Sequence, residues 1–491
     1  VNYSLLFRLL SYLFLVLTGT FLLSLGIGIL HGEGEINQTP IRGFLFSSSI
    51  AILLTLVFYF LGREARIRFF RKEALALIGS AWLLASLTGS LPYLLIHPEA
   101  TFADALFESA SGFTTTGASV FTGFETWPRS LLFFRCITQW IGGLGVVVFF
   151  VAVLGSLGAG GKMLFTNESS GTSTEIDTGH FQSGVLQILY FYLSLSLLCC
   201  LTLRFFGMSW YDAVCHTFTT ISTGGFSTNS LSIEGFHNPA IEWSMIFYML
   251  LGATSFIFII RILRGNFTQF HRNNEVQAYF VILVLATAII TILRIEATET
   301  FAFGENLRTA AFQVVSIMTT SGFNSDNFNA WQTPSKMILL GLMLVGGCTS
   351  STAGGVKVAR VVILYYVIRQ NIELAYRPHV IRPIKINGKT LSLQARDSVI
   401  NFILLAGAIL VISTIGISLL EHSETVETAF SIVYSTLFNI GPGLGQVGPD
   451  SNYGFLKEPT KVLLSLLMIM GRLEFYAILV LFSPSLWRKF T

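Results

Sequence analysis

Charge is what this chain has least of. Lys, Arg, Asp and Glu together make up 12% of its 491 residues, against 52% hydrophobic residues and a mean hydropathy of +0.67. Ordinary soluble domains carry about 25% charged residues. The shortage excludes a soluble globular fold and points to a chain that crosses a lipid bilayer many times. Cysteine is also sparse: Cys136, Cys199, Cys200, Cys215 and Cys348 all lie in or beside apolar runs, with no spaced pair in a loop. That excludes a disulfide framework and a zinc site. The eight histidines are scattered without metal-ligand spacing, and His216 reads as a packed or rim residue. A net charge of +3 is unremarkable, and no nucleic acid is expected as a partner.

One apparent nucleotide motif fails on context. Gly443-Leu444-Gly445-Gln446-Val447-Gly448 fits G-x-G-x-x-G but follows a short helical segment, with no strand before it. The chain therefore has no visible nucleotide-binding domain of its own, and no bound cofactor is expected. The run from Leu5 to Leu30 is longer than a signal-peptide core and lacks a small-residue cleavage site, so it reads as a membrane span.

What the chain does have is long apolar runs. Spans of about 20 apolar residues fall near 5–30, 43–62, 74–96, 130–156, 185–206, 241–263, 276–295, 336–368, 398–420 and 461–482, which makes ten crossings. Four shorter apolar pieces, 101–119, 211–226, 306–323 and 427–443, can enter the bilayer but not cross it. Basic residues orient the whole. Arg63, Arg66, Arg68, Arg71 and Lys72 follow the second span, Arg261, Arg264 and Arg272 the sixth, and Lys357 through Arg396 the eighth, while Arg488 and Lys489 close the chain. The positive-inside rule puts these loops and both termini in the cytoplasm, so the short pieces enter from outside. The segment 157–182 fits less well, because Glu168, Glu175 and Asp177 outnumber Lys162.

From the third span onward the pattern is helix, re-entrant segment, helix, four times over. Two crossings per unit give every unit the same orientation, so these are parallel repeats about an axis along the membrane normal. The expected fold is an all-α integral membrane protein: an N-terminal two-helix pair (1–73) and four pore repeats (74–182, 183–273, 274–396 and 397–491) around a central pore.

Each re-entrant piece ends in small polar residues around glycine: Thr114-Thr115-Thr116-Gly117, Ile221-Ser222-Thr223-Gly224, Thr319-Thr320-Ser321-Gly322 and Phe438-Asn439-Ile440-Gly441, about 100 residues apart. Ahead of each lies a helical stretch, Asp104–Ser111, Asp212–Thr220, Arg308–Thr319 and Glu427–Phe438. Its carbonyl end carries negative partial charge, which favours a cation in front of it. Four converging loops can replace an ion's hydration shell with backbone oxygens, and non-helical backbone at this depth is tolerated only where it is buried or lines a water-filled path. No Asp or Glu occupies 114–119, 221–228, 319–324 or 438–445. A carboxylate ring of the divalent-selective kind is thus absent, and carbonyls and hydroxyls suit a large, weakly hydrated monovalent cation. The alternative for any one cluster is helix packing by small residues; four in equivalent places argue against it.

At these residues the chain resembles the Trk/Ktr/HKT superfamily of potassium transporters, and within it the bacterial TrkH/TrkG branch. The resemblance covers nearly the whole chain: four helix-pore-helix units with one filter glycine each (Gly117, Gly224, Gly322 and Gly441) and an extra N-terminal helix pair. It implies potassium uptake across the bacterial inner (cytoplasmic) membrane. The filter residues it implies are Thr115, Thr116 and Gly117; Ser222, Thr223 and Gly224; Thr320, Ser321 and Gly322; and Asn439, Ile440 and Gly441. In some plant members a serine at the first filter position accompanies sodium preference, and here that position is Gly117. The fourth loop departs from the others, with Pro442 restricting Gly441 toward extended geometry.

A second polar stretch, Gly346-Gly347-Cys348-Thr349-Ser350-Ser351-Thr352-Ala353-Gly354-Gly355, interrupts the eighth span. Four glycines among ten small residues cannot hold a lipid-facing helix, so the span is expected to break into a loop beneath the filter. That loop serves either as helix packing or as a gate. Arg472, near the middle of the last span, must face protein or water; it reaches carbonyls of this loop or pairs with another helix. The resemblance supports the gate, with Gly346, Gly347, Thr349, Ser350, Ser351, Gly354, Gly355, Lys357 and Arg472 as its residues. It also implies a homodimer and a cytosolic TrkA-like nucleotide-binding regulator docking on basic loops such as Arg369 to Arg396. The carboxylates Asp104 and Glu108 are expected near an outer vestibule, where they would concentrate cations. A proton- or sodium-coupled symporter of the same architecture is the rival reading. It would need ionisable groups near the midplane, for which Arg472 and Glu474 are the obvious candidates. Enzymatic chemistry is not expected.

Overall fold

The computed structural model describes residues 1–33, 39–65, 71–154, 181–298, 302–379, 383–387, 389–422 and 424–487. Of the residues read above, Arg66, Arg68, Arg488, Lys489 and most of 157–182 lie outside this set. The described residues are overwhelmingly helical. The exception is a two-stranded antiparallel ribbon, Lys385–Ile386 against Lys389–Thr390.

The chain runs in a repeating order. Two long helices, Tyr3–Leu30 and Thr39–Leu61, come first and pack on each other. Then four times a helix leads to a short buried helix, a loop and another helix. The leading helices are Arg71–Gly89 with Leu91–Ile96, Phe181–Phe205, Asn274–Thr298 and Leu393–Leu420. The short helices are Phe102–Phe113, Trp210–Ile221, Phe303–Met318 and Val426–Leu437. Three of them start on a hydroxyl cap: Thr101, Ser209 and Thr425 accept from the backbone N–H of Asp104, Asp212 and Thr428 respectively. Such caps satisfy donors that the first turn leaves free. The third short helix has no side-chain cap and is longer, at 16 residues against 12.

Polarity is arranged inside out. The leading helices show bare apolar side chains outward, with Leu197, Leu198, Ile292, Leu404, Ile412 and Leu419 all 55–68% exposed. Water would penalise so large an apolar belt; lipid does not. Among the described residues six helices are long and apolar enough to cross a membrane, or seven if a bent pair counts as one span. The shortfall from ten crossings has a structural origin. Two expected spans, 336–368 and 461–482, are split into pieces, and 130–156 runs beyond the described residues.

Broken helices are more common than the sequence suggested. A break was expected only in 336–368, where helix Thr333–Leu344 gives way to a loop and then Val358–Tyr376. Pro239–Ala253 and Phe256–Leu263 also meet at a 102° bend. Glu458–Arg472 and Tyr476–Leu481 are separated by Glu474 (φ 56°) and Phe475 (φ 68°), both left-handed. At the first two breaks the freed groups bond across to each other's segments, as Cys348 N–H does to Ala253 O, whereas the third is closed by its own turn, Phe475 N–H to Met470 O.

Candidate functional site: four loop ends and the strap beneath them

All four short helices end in the same way. The residue after the cap turns left-handed: Thr115 (φ 53°), Thr223 (53°), Thr320 (56°) and Asn439 (56°). Its N–H bonds back three residues, to Gly112 O, Thr220 O, Ile317 O and Thr436 O. The next N–H bonds back five residues, Thr116 to Ser111 O (2.9 Å), Gly224 to Thr219 O (2.8 Å), Ser321 to Ser316 O (2.8 Å) and Ile440 to Ser435 O (2.9 Å). This is a Schellman ending, built four times with Thr or Asn where Gly is usual.

Two residues beyond the left-handed Thr or Asn comes a left-handed glycine: Gly117 (φ 81°), Gly225 (83°), Gly322 (74°) and Gly441 (96°). The second loop therefore differs from its sequence alignment. Gly225, not Gly224, matches the other three glycines, and Gly224 is the counterpart of Thr116, Ser321 and Ile440. Ser222 likewise sits on the helix cap, where the other loops have Thr114, Thr319 and Phe438. Two adjacent glycines cannot be told apart in a sequence; the backbone dihedrals separate them.

The loops close into a ring. A Cβ added to Gly117 would overlap Gly224 O; one on Gly225 would overlap Ser321 O; one on Gly322 would overlap Ile440 O; and one on Gly441 would overlap Thr116 O. Each glycine thus packs its bare Cα against a carbonyl oxygen of the next loop, first to second, second to third, third to fourth and fourth back to first. Positive φ and close approach both demand glycine at these four positions. The fourth loop adds a direct tie, since Asn439 Nδ2 donates to Thr116 Oγ1 (2.8 Å) and to Met468 O (2.9 Å).

Buried and part-buried ion pairs brace the ring from outside. Arg135 Nε lies 2.5 Å from Glu108 Oε1, and Glu108 also accepts from Ser119 Oγ and Val120 N–H. The same guanidinium donates to Ser227 O and is sandwiched between the Phe124 and Phe226 rings. Lys461 Nζ meets Asp104 Oδ1 at 2.6 Å, and Arg308 Nε meets Glu242 Oε2 at 3.1 Å. Asp104 and Glu108 are buried and paired. They fasten one helix to another and are not vestibule carboxylates open to cations.

Directly under the ring runs the strap 346–355. Gly354 N–H donates to Thr320 Oγ1 (2.7 Å), and Thr352 Oγ1 donates to Ile221 O and Gly252 O (both 3.0 Å). The bend at Thr254 is completed by the same strap: Cys348 N–H reaches Ala253 O (2.8 Å), Thr352 N–H reaches Gly252 O (3.2 Å), and Phe256 N–H reaches Ser350 O (3.1 Å). Gly346 N–H pairs with Val356 O, closing the neck, and Ser350 and Gly355 are left-handed. Ser351 Oγ bonds Cys348 O, Thr349 is held through its N–H and hydroxyl by Glu275, and Lys357 Nζ bonds Ala353 O. Gly347 leaves no room for a side chain against Ala253 and Ala353.

Arg472 ends its helix at this strap. Its guanidinium donates to Thr352 O (2.7 Å), Gly142 O (3.1 Å) and Gly143 O (3.4 Å). Glu474 turns away and pairs with Arg360 at 2.5 Å. Three contributors were not among the expected site residues. Thr352 was hidden in a run of small residues, and Glu275 at the head of an apolar helix was overlooked, although an acid there is a signal in itself. Gln139, in Arg129–Leu154, donates through Nε2 to Gly224 O (2.6 Å) and accepts from Phe226 N–H (3.1 Å).

Short buried helices ending at a common ring of backbone oxygens, inside a lipid-facing shell, define an integral membrane transport protein for cations. The chain belongs to the family described as "TrkH: Cation transport protein", whose model matches residues 42–489. It is similar to the Trk system potassium uptake protein TrkH of Halomonas elongata, 32% identical over 485 residues, covering 98% of each chain. The TrkH of Salmonella typhimurium is 29% identical over 485 residues, 98% of this chain and 99% of that one. The TrkG of Escherichia coli is 32% identical over 442 residues, 87% and 88%. The crystal structure of the potassium transporter TrkH from Vibrio parahaemolyticus superposes with a TM-score of 0.87 at 28% identity, covering 99% of this chain and all of that one. Membership in a cation transport family places the chain among transporters, not enzymes.

Proposed function

We propose that this protein takes up potassium across the bacterial cytoplasmic membrane through one central pore per subunit, with the four-loop ring as its filter. The observation that carries this reading is the closed circuit in which each left-handed glycine abuts the next loop's carbonyl. Four short helices direct their carbonyl ends at that circuit, and the uptake function named for the TrkH and TrkG relatives agrees with it. The filter comprises Thr115 to Gly117, Thr223 to Gly225, Thr320 to Gly322 and Asn439 to Gly441.

The strap 346–355 is the gate on this reading, and Arg472 is its electrostatic lock. A fixed positive charge bonded to the strap and to the first unit's following helix raises the barrier for a cation leaving the filter. The four units correspond to 74–182, 183–273, 274–396 and 397–491, with 1–73 peripheral and both termini in the cytoplasm. Pairing as a homodimer and control by a TrkA-like regulator complete the proposal.

The deciding experiment reconstitutes the purified protein in bilayers under opposed potassium, sodium and proton gradients. A reversal potential that follows potassium supports the pore. One pinned at a fixed proton or sodium stoichiometry replaces it with a coupled symporter.

A further inference from the structure

The ring has one oxygen unlike the other three. Thr116, Gly224, Ser321 and Ile440 occupy the same place in their Schellman endings, and each offers its carbonyl to the same circuit. Among the described residues no side chain donates to the carbonyls of Thr116, Ser321 or Ile440. Gly224 O is held at 2.6 Å by Gln139 Nε2. Gln139 is fully buried, and its other end accepts from Phe226 N–H, two residues further along the same loop. Because Phe226 N–H can only donate and Gly224 O only accept, the orientation of the amide is fixed by the network.

The same contact explains Gly224 itself. Its φ is not positive, so the backbone does not call for glycine. A Cβ there would run into the Gln139 amide. The other three loops carry Thr, Ser and Ile at this position, and among the described residues no side-chain amide donates to their main-chain oxygens. Gly224 and Gln139 are two halves of one device.

We propose that Gln139 is a specificity-determining positioning residue: at the level of Thr116, Gly224, Ser321 and Ile440 it binds one of the four oxygens, so that a monovalent cation meets there three carbonyls without a side-chain donor and one already engaged by an amide. This rests on the filter reading above. A carbonyl shared with a neutral donor offers less negative potential to an ion and cannot swing toward a smaller one. The engaged oxygen, together with the Phe226 tether, keeps the second loop at the spacing a large ion needs.

Three variants test this: Gln139→Met, which keeps the volume and removes both bonds; Gly224→Ser, which overlaps Gln139; and the double variant Gly224→Ser with Gln139→Ala, which rebuilds the second loop on the pattern of Ser321. Each is compared with the parent by size-exclusion elution and then by reversal potential and concentration-dependent flux in bilayers. In Gln139→Met the potassium-over-sodium permeability ratio falls about three- to tenfold, the factor that one net hydrogen bond represents. The half-saturating potassium concentration shifts more than the maximal flux does. Gly224→Ser loses flux, and the double variant regains it with altered selectivity, the non-additivity expected of residues in contact. A parent protein without a potassium-following reversal overturns both the filter reading and this inference. A selective parent with an equally selective Gln139→Met, or a double variant no better than Gly224→Ser alone, overturns this inference only.

Discussion

Arg472 places its guanidinium 2.7 Å from the main-chain oxygen of Thr352, joining the last long helix of the chain to a strap from the unit before it. The bond is charge-assisted, and the guanidinium also reaches Gly142 O and Gly143 O. Replacing Arg472 with Gln removes the fixed charge under the ring and loosens the strap together. Potassium flux through the reconstituted protein rises on the order of tenfold, the change that about 1.4 kcal/mol of barrier gives. Unchanged or lower flux in a well-folded variant would remove Arg472 from any gating role.

Glu275 holds the same strap at another point, through the N–H and hydroxyl of Thr349. Glu275→Ala leaves both donors without their acceptor and frees the strap at Thr349, so flux rises here too while the potassium-over-sodium ratio stays near that of the parent. A loss of selectivity in place of a gain in flux would show that the strap shapes the ring and does not obstruct it.

At each of the four left-handed glycines a side chain would push a ring carbonyl aside. Gly322→Ala meets Ile440 O and carries a left-handed penalty of roughly 1–2 kcal/mol, and selective potassium flux is abolished. Gly117→Ser places a hydroxyl among the ring oxygens and shifts preference toward sodium. Reversal potentials in mixed potassium and sodium read both results directly, and a potassium-selective Gly322→Ala would sink the ring as the filter.

Ion pairs behind the ring are tests of stability. Glu108→Gln leaves Arg135 buried with its cation uncompensated apart from Ser227 O and two aromatic faces. Breaking a buried pair by one partner costs about 3–5 kcal/mol. The thermal midpoint of the detergent-solubilised protein falls accordingly, and replacing Glu108 and Arg135 together recovers part of it. A double-variant loss equal to the sum of the two single-variant losses would mean that the pair itself adds nothing.

Outside the membrane-spanning helices, burial first and then the carboxylates of Asp450 and Asp326 push the Glu234 carboxyl above its ordinary range. An acid whose folded-state pKa is raised holds its proton more tightly when folded, so its ionisation opposes folding at neutral pH, and the penalty vanishes in acid. Glu234→Gln therefore raises the thermal midpoint at neutral pH and leaves it unchanged in acid. A gain that grows on acidification would contradict the assignment.

Much of this architecture was legible in the apolar runs and in the small polar clusters between them. Lipid and a buried loop constrain composition strongly, so Thr114 to Gly117 and Gly346 to Gly355 stand out. Other features depend on which unit touches which, and composition does not carry that information. The break at Thr254 exists because its freed backbone groups bond the strap of the next unit, and only the small run Gly252 to Ser255 hinted at it; the break at Glu474 is closed by its own turn, with the side chains of Arg472 and Glu474 reaching other segments. Asp104 and Glu108 looked like vestibule carboxylates because Lys461 and Arg135, their partners, lie 357 and 27 residues away in the chain. The offset between Gly224 and Gly225 needed a dihedral angle to resolve.

The tie between Asn439 and Thr116 joins residues 323 positions apart, and it closes the circuit between the first loop to leave the ribosome and the last. Until Asn439 is made, the first three loops have an unclosed side. Long-range closure of this kind is slow and leaves earlier intermediates exposed. A nascent chain that has inserted most of its helices thus still presents three loops with the fourth side open, and the ring forms only once the last unit has folded back onto the first.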